Sequence, residues 1–242
     1  MKISFKHSMA AGATALALVW GAQAQAATVG LKYEGAAYPS YLSFNVAGPS
    51  YSSRSTAAGG FDFTASNPSA APGEPSLSGS ILAWCVELTQ TLSTTGTKTY
   101  SANWADSQGW YSSVQQLVNI AYGAVLEKGT NVMSAAFQLA LWELVSGKAD
   151  MKLGTGDFRV TSGDTTARNT AQDWLKKIAD GEGKGPSDYR IVLLHNAQHQ
   201  DFISLVPTPL PGAALLFASA LGLGGLARRA RARKAGAAPA AA

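Results

Sequence analysis

The chain has 242 residues, with 19 Lys+Arg against 15 Asp+Glu, one cysteine and three histidines. Two lysines fall in residues 1–26 and five cations in residues 228–234, so the stretch between carries 12 cations, 15 acidic residues and a net charge of −3. This balance excludes a nucleic-acid-binding domain, which needs a basic surface.

Residues 1–26 predict a cleavable signal peptide. Lys2 and Lys6 precede a short apolar run, and small residues alternate with glutamine at the end of the segment, from Ala22 to Ala26. A positive start, an apolar centre and a small-residue exit are the features that secretion and cleavage require. The apolar run is too short to span a membrane. Signal peptidase is therefore an expected partner, and residues 27–205 remain as one exported domain of ordinary length.

The first half of this domain predicts short strands joined by polar turns, because aromatic and β-branched residues alternate with Gly, Ser and Thr. Residues 47–80 are rich in Ser, Pro, Ala and Gly and predict long loops, apart from one short strand within them. The candidate strands are Val29–Tyr33, Tyr41–Val46, Gly60–Thr64, Ile81–Leu88 and Lys98–Ala102.

Residues 113–180 change to helical periodicity. The first helix should end near Gly129, the second should run over Val132–Ser146 after a cap at Asn131 and before Gly147, and the third should follow a cap at Asp164. Tyr189–Leu194 and Phe202–Val206 predict closing strands. The fold class is therefore α+β, a β-rich sandwich or barrel-like body with an inserted group of about three helices.

Two segments could carry chemistry. Cys85 is the only cysteine and lies on a predicted strand, and a lone cysteine in an exported protein cannot form an internal disulfide. Gln138 lies on a helix that is apolar almost all round, on the same face as Ser134 and Trp142. An unpaired buried amide costs about 1–3 kcal/mol. Attack of the Cys85 thiolate on the Gln138 amide would expel ammonia, leave an internal thioester and account for both residues.

The two segments resemble the paired motifs of Cys–Gln thioester domains of bacterial surface proteins. Cys85-Val86-Glu87 matches a cysteine followed by a hydrophobic residue and an acid, and residues 138–142 match Gln-x-Ala-x-Trp. The resemblance implies a bond between Cys85 and Gln138 that captures an amine or hydroxyl nucleophile covalently, on a surface protein or extracellular polysaccharide. Trp84 and Trp142 are expected to shield the bond from water. Such a protein is not an enzyme, because each molecule reacts once.

Two other functions fit the residues. A cysteine hydrolase could use Cys85 with His195 or His199 as base, oriented by Asn196 or Asp201. The domain could also be a structural matrix module without chemistry. Glu87 and Glu143 are predicted to be surface or backbone-capping residues, not catalytic ones. No metal-ligand cluster and no cofactor fingerprint is present in the sequence, so no cofactor is expected.

Residues 206–242 form a three-part segment. A Pro-rich motif at 206–211 is followed by an uncharged stretch, predicted to be a transmembrane helix over 212–227, and by a basic tail over 228–242. The positive-inside bias predicts that the tail stays cytoplasmic and the domain lies outside the inner membrane. The prolines are Pro207, Pro209 and Pro211, and the cations of the tail are Arg228, Arg229, Arg231, Arg233 and Lys234.

This order of parts resembles the PEP-CTERM sorting signal of Gram-negative bacteria. That family most often has Glu between two prolines, whereas this chain has Thr208 or Leu210 in that position. The resemblance implies cleavage near the motif by an exosortase-type enzyme, after a membrane-anchored stage, and delivery to the cell surface or extracellular matrix.

Overall fold

The computed structural model describes residues 27–48, 51–146 and 148–208. The predicted signal peptide, the transmembrane segment at 212–227 and the basic tail lie outside the described residues, as does the predicted helix end at Gly147. Within the described part of the chain, no helix is long and apolar enough to cross a membrane.

Six antiparallel strands close into a barrel, which confirms the β-rich, barrel-like body. Around the barrel the order is β1-β4-β5-β9-β8-β6. Alternate side chains point inward, and Phe61, Phe63 and Tyr100 meet Phe202 there, with Phe63 and Phe202 ring centres 5.0 Å apart. The barrel strands are β1 (Thr28–Ala36), β4 (Phe61–Ser69), β5 (Gly79–Cys85), β6 (Thr97–Trp104), β8 (Tyr189–His195) and β9 (Phe202–Pro207).

A second, three-stranded sheet has the order β3-β2-β7, with β2 (Leu42–Gly48) in the centre. Strand β3 (Tyr51–Ala58) lies where long loops were predicted, so that prediction was wrong. Residues 52–55 of β3 are exposed, and an edge strand of this kind needs no apolar alternation. Strand β7 (Arg159–Gly163) was also missed, since only Val160 of its five residues is buried.

The helices are inserted between β6 and β8, two strands that pair with each other in the barrel. This insertion and the number of helical segments agree with the sequence prediction. The first segment runs from α1 (Tyr111–Leu117) through a π-helical turn at Val118–Tyr122 into α2 (Gly123–Lys128), and it ends at Gly129 with a left-handed φ of 56°. The others are α3 (Asn131–Val145) and α4 (Thr165–Ala179).

The helix caps confirm one prediction and correct another. Asp164 accepts a hydrogen bond from the Ala167 amide and caps α4. Helix α3, in contrast, is capped by the Thr130 hydroxyl, which accepts from the Met133 amide at 3.3 Å. Asn131 is the first residue of the helix, and its side chain pairs with Ser40 instead. Both Thr130 and Asn131 are good capping types, so residue type alone does not distinguish them.

Helix α3 is the central element of the domain. All residues from Met133 to Leu144 are buried, because the barrel, the second sheet and α4 surround it. A helix enclosed in this way can be apolar on every side. Its polar members, Ser134, Gln138 and Glu143, are therefore the residues whose burial needs an explanation.

Candidate functional site

Helix α3 meets the barrel through two polar side chains that lie one turn apart. The Ser134 hydroxyl accepts a hydrogen bond from the Gly60 amide at 2.7 Å. Gly59 has a φ of 152°, and an added Cβ there would lie 3.0 Å from the Tyr41 ring and 3.4 Å from Ser134 Oγ. A glycine is therefore needed for the close approach of helix and barrel. The second contact is made by Gln138.

Gln138 bonds to both backbone groups of Cys85. The Cys85 amide donates to Gln138 Oε1 at 3.0 Å, and Gln138 Nε2 donates to the Cys85 carbonyl at 2.8 Å. The relative exposure of Cys85 is 1% and that of Gln138 is 0%. These two bonds hold the amide carbon beside the residue that carries the thiol. The structure thus brings together the two residues that the sequence analysis paired.

The backbone groups of Cys85 can bond to Gln138 because the pairing of β4 with β5 ends before Cys85. Strand β4 pairs with β5 only as far as the Phe61–Ala83 partners. Beyond Ala83, no strand of the described residues lies on this side of β5, and the backbone groups left there need partners. The Gln138 amide, with one acceptor and two donors, takes the place that a peptide group of β4 would occupy.

The two tryptophans predicted as shields lie in different places. Successive side chains of a strand point to opposite faces, so Trp84 faces away from Cys85. Trp84 packs on the helices, with its ring centre 4.9 Å from that of Phe137 and 5.5 Å from that of Tyr122. Trp142, in contrast, lines the same pocket as Cys85.

This pocket has a volume of about 240 Å³ and reaches Cys85 from the surface. Strand β3 and the loops at residues 86–92 and 196–201 supply most of its polar wall. Sequence spacing gave no signal for these residues, because only the folded topology brings the segments together. The lining consists of Tyr41, Arg54, Thr56, Ala57, Phe61, Cys85, Gln90, Thr91, Leu92, Trp142 and Gln200.

Two buried polar atoms of the pocket residues have no hydrogen-bond partner among the described residues. They are Trp142 Nε1, a donor, and Gln90 Oε1, an acceptor. A buried polar atom that stays unpaired costs about 1–3 kcal/mol, so such atoms in a pocket wall are candidates for ligand contacts. Arg54 donates to the Leu88 carbonyl, and Gln200 Nε2 donates to the Glu87 carbonyl at 3.0 Å, which fixes the loop that follows Cys85.

The Cys85 thiol lies in surroundings that oppose its ionisation. Burial raises the pKa of Cys85 well above its usual value, and the negative charge of Glu87 raises it further. Cysteines that act as nucleophiles in hydrolases have the opposite surroundings, which lower the pKa. Cys85 is therefore a neutral group at physiological pH.

The two candidate histidines lie apart from Cys85. His195 Nδ1 is 2.7 Å from Asp201 Oδ2, so the predicted pairing of this histidine with an orienting carboxylate forms. The His199 amide donates to Asn196 Oδ1 at 3.0 Å, within a polar turn. Neither histidine lines the pocket that reaches Cys85. The structure supplies an oriented base but does not bring it to the thiol.

The two glutamates hold loop backbone. Glu87 Oε1 accepts from the Asp201 amide at 3.2 Å. Glu143 Oε1 accepts from the amides of Asp150 and Met151 at 2.9 and 3.0 Å, and Met151 has a left-handed φ of 62°. Glu143 is only 2% exposed, so of the two predicted roles, surface residue or backbone cap, it has the second. Burial raises the pKa of Glu143 to about 7.

The first residues of the predicted Pro-rich motif belong to the barrel. Pro207 pairs with Tyr189 in the last strand, and the Thr208 amide donates to the Asp188 carbonyl at 2.7 Å. Pro209, Pro211 and the cations at 228–234 lie outside the described residues. Among the residues that are described, no group of three or more His, Cys, Asp or Glu side chains is placed to hold a metal ion.

Comparison with known proteins gives likeness only at the level of structure. No protein-family model and no curated protein matches the chain. It is similar to the N-terminal thioester domain of a surface protein from Clostridium perfringens, with a TM-score of 0.40, 10% identity, and coverage of 74% of this chain and 99% of that one. It is also similar to the N-terminal domain of the Streptococcus pyogenes pilus tip adhesin Cpa, with a TM-score of 0.43, 11% identity, and coverage of 74% and 98%. At these scores, function has to be argued from the site itself.

Proposed function

We propose that this chain is an exported surface protein that forms an internal thioester between Cys85 and Gln138 and uses it for one covalent attachment. The pair of hydrogen bonds between the Gln138 amide and the Cys85 backbone is the observation that carries the proposal. It holds an amide carbon beside the only thiol of the chain, inside the buried core, which a pocket reaches from outside.

The bond-forming step needs no external reagent. Cys85 Sγ attacks Gln138 Cδ, the C–N bond breaks, and the nitrogen leaves as ammonia with the proton of the thiol. In the tetrahedral intermediate, negative charge develops on Gln138 Oε1, which already accepts the Cys85 amide at 3.0 Å. A donor in place before the reaction stabilises that charge without reorganisation. The two groups are also held together in advance, which replaces a collision by a local step.

Burial would protect the thioester once it has formed. A thioester carries no charge, so the core that opposes a thiolate accepts it without an ionic desolvation cost. The high pKa of Cys85 also makes its thiolate a poor leaving group in this site. Trp142, in the pocket wall, limits the access of water from the outside.

Attachment is the same chemistry with another nucleophile. The nitrogen or oxygen of a surface protein or extracellular polysaccharide attacks the acyl carbon, the C–S bond breaks, and the proton of the nucleophile goes to sulfur. The product is an amide or ester on residue 138 and a free Cys85 thiol. Since nothing restores the thioester, each molecule would react once, and the protein is not an enzyme.

The predicted terminal signals complete the proposal. Signal peptidase would remove residues 1–26, and an exosortase-type enzyme would act near the prolines at 207–211 after a membrane-anchored stage through residues 212–227. Thr208 is bonded to Asp188 at the end of the barrel, so cleavage should fall on the C-terminal side of this residue. The product would be a cell-surface or extracellular-matrix protein.

One observation favours a second candidate function, a structural matrix module without a thioester. All backbone and side-chain groups in the Gln138–Cys85 contact are paired, so Gln138 can be explained as the residue that closes the open side of β5. The two functions differ in one covalent bond, which a mass measurement detects directly. The cysteine hydrolase has less support, because neither histidine lines the pocket at Cys85.

The test is the intact mass and peptide map of the exported protein, purified without reducing agents or amine buffers. We expect a mass lower by one ammonia and a cross-linked peptide pair that contains Cys85 and Gln138. Gln138→Glu, which keeps the shape of the side chain, and Cys85→Ala should both lack the cross-link. An unmodified mass with a thiol that titrates after unfolding would reject the thioester and leave the structural module.

A further inference from the structure

Two residues in the wall of the pocket at Cys85 carry a buried polar atom that has no partner among the described residues. Trp142 Nε1 is a hydrogen-bond donor, and Gln90 Oε1 is an acceptor. A buried polar atom that stays unpaired is destabilising, so a ligand that supplies both partners gains from binding here. Because the same pocket reaches Cys85, it favours a nucleophile that has a hydrogen-bonding group close to its attacking atom.

A hydroxyl group can satisfy both atoms, because its oxygen accepts a hydrogen bond and its O–H donates one. It would accept from Trp142 Nε1 and donate to Gln90 Oε1, either as one group or as two neighbouring groups. An ether oxygen only accepts and an alkyl chain does neither, so each would leave at least one of the two atoms unpaired. The polar part of the ligand is therefore a carbon that bears a hydroxyl.

The apolar surface of the pocket suits a small ring. Tyr41 and Phe61 contact each other in the wall, with ring centres 5.1 Å apart, and Leu92 adds further apolar surface. The C–H face of a ligand ring can pack on these side chains while its polar edge bonds to the groups beside them. The volume of about 240 Å³ is below the range of about 300–1,000 Å³ that is usual for drug-sized ligands, so the pocket admits one small unit of a polymer.

We propose that the pocket takes the free amine of an amino sugar, in which a hydroxyl lies on the carbon next to the amine. This inference rests on the proposed thioester and names its class of partner, an extracellular polysaccharide with unacetylated amino groups. The amine nitrogen attacks Gln138 Cδ, the bond to Cys85 Sγ breaks, and one amine proton goes to the sulfur. The product is an amide between residue 138 and the polysaccharide.

A lysine side chain of a protein partner fits the pocket less well. Its amine stands at the end of a flexible four-carbon stem, so no hydroxyl enters the pocket with it. Trp142 Nε1 and Gln90 Oε1 would then stay unpaired when the amine reacts. One neutral hydrogen bond changes a rate by about two- to tenfold, which sets the size of the expected preference for the amino sugar.

The test compares four amines on the full exported protein. Methyl glucosaminide and trans-2-aminocyclohexanol carry a hydroxyl beside the amine, whereas cyclohexylamine and Nα-acetyl-lysine methylamide do not. Release of the Cys85 thiol is followed with a thiol reagent. Each rate, per concentration of unprotonated amine, is divided by the rate of the same amine with S-butanoyl-N-acetylcysteamine, a small thioester without a pocket. We expect the two hydroxyl-bearing amines to exceed the other two by about two- to tenfold.

Two variants remove the proposed partners one at a time. Trp142→Phe keeps an aromatic ring and removes the N–H, and Gln90→Met keeps the length of the side chain and removes the acceptor. Each should reduce the preference. Trp84→Phe and Gln116→Met are the matched controls, because they also remove a buried atom without a described partner, but neither residue lines this pocket. Both controls should keep the preference of the wild type.

The outcomes distinguish the inference from the proposed thioester. If none of the amines releases a thiol from the wild type, the thioester is overturned. If all four amines react at the same relative rate, or the preference survives in both Trp142→Phe and Gln90→Met, the thioester stands and the selection of an amino sugar is overturned. A faster reaction of the lysine derivative would overturn it as well, in favour of a protein partner.

Discussion

Opening the proposed thioester with methylamine should destabilise the domain by an amount that can be worked out from the structure. Cys85 and Gln138 lie 53 positions apart in the chain, so the bond between them closes a long loop. A cross-link of this kind acts mainly on the unfolded chain, by reducing the number of conformations that it can adopt. The chain-entropy relation for a loop of this length gives about 4 kcal/mol at 25 °C.

Methylamine is a better perturbation than a mutation at either residue. It cleaves the C–S bond and leaves a methylamide on residue 138, so the native packing around the helix loses little. Mutation of either residue to alanine would add the cost of a cavity, and Gln138→Ala would also leave the Cys85 backbone groups unpaired. The change on methylamine treatment therefore reports the cross-link with few other contributions.

The assay is urea unfolding at 25 °C and mildly acidic pH, where thioesters hydrolyse slowly, followed by tryptophan fluorescence. With a typical dependence of about 1–3 kcal/mol per molar urea, the midpoint of the treated wild type should fall by at least about 1 M. Cys85→Ala, given the same treatment, should not change. If thiol titration and mass confirm complete opening and the midpoint still does not move, the bond does not restrict the unfolded chain and the reasoning is refuted.

Two further predictions concern the buried polar residues of α3. Ser134→Ala leaves the Gly60 amide without its acceptor and should lower the unfolding free energy by about 1–3 kcal/mol, measured by urea unfolding; an unchanged midpoint would mean that the bond contributes nothing. For Glu143, burial raises the folded-state pKa from 4.5 to about 7, so between these values the folded protein holds a proton that the unfolded chain has released. The unfolding free energy should therefore fall as pH rises through this window. Glu143→Gln keeps an acceptor for the two loop amides and should remove that part of the pH dependence, and identical profiles from pH 4 to 8 would contradict this assignment.

The parts of the fold that were predictable from sequence are those in which the residue pattern of a segment reflects how that segment is buried. Helix α3 is apolar on all sides because it is enclosed, and this made Gln138 conspicuous as a buried amide. The barrel strands that were identified carry aromatic and β-branched residues that point into the core. The insertion of the helices was predictable because the segments with helical periodicity lie between segments with strand patterns along the chain.

The parts that were missed depend on how one strand pairs with another. Among the described strands, β3 pairs with β2 alone, and it exposes Ser and Arg side chains, so its composition is that of a loop. The end of the β4–β5 ladder at Ala83, which leaves Cys85 open to Gln138, is a property of register and is not visible in either strand alone. The orientation of Trp84 away from Cys85, in contrast, follows from strand alternation, since the two residues are adjacent on β5.

The hydrogen bonds at the site also suggest where a nucleophile must enter. Formation of the proposed thioester would remove the Gln138 Nε2 donor and leave the Cys85 carbonyl without that partner, whereas Gln138 Oε1 would keep the hydrogen bond from the Cys85 amide. An amine that attacks the acyl carbon passes through the same kind of tetrahedral arrangement in the reverse direction. Its nitrogen must therefore occupy the position that the ammonia nitrogen left, where one of its N–H groups can donate to the Cys85 carbonyl. A primary amine retains such a donor in the amide product, but a hydroxyl gives up its only hydrogen to sulfur and does not. The backbone geometry thus favours a stable amide over an ester.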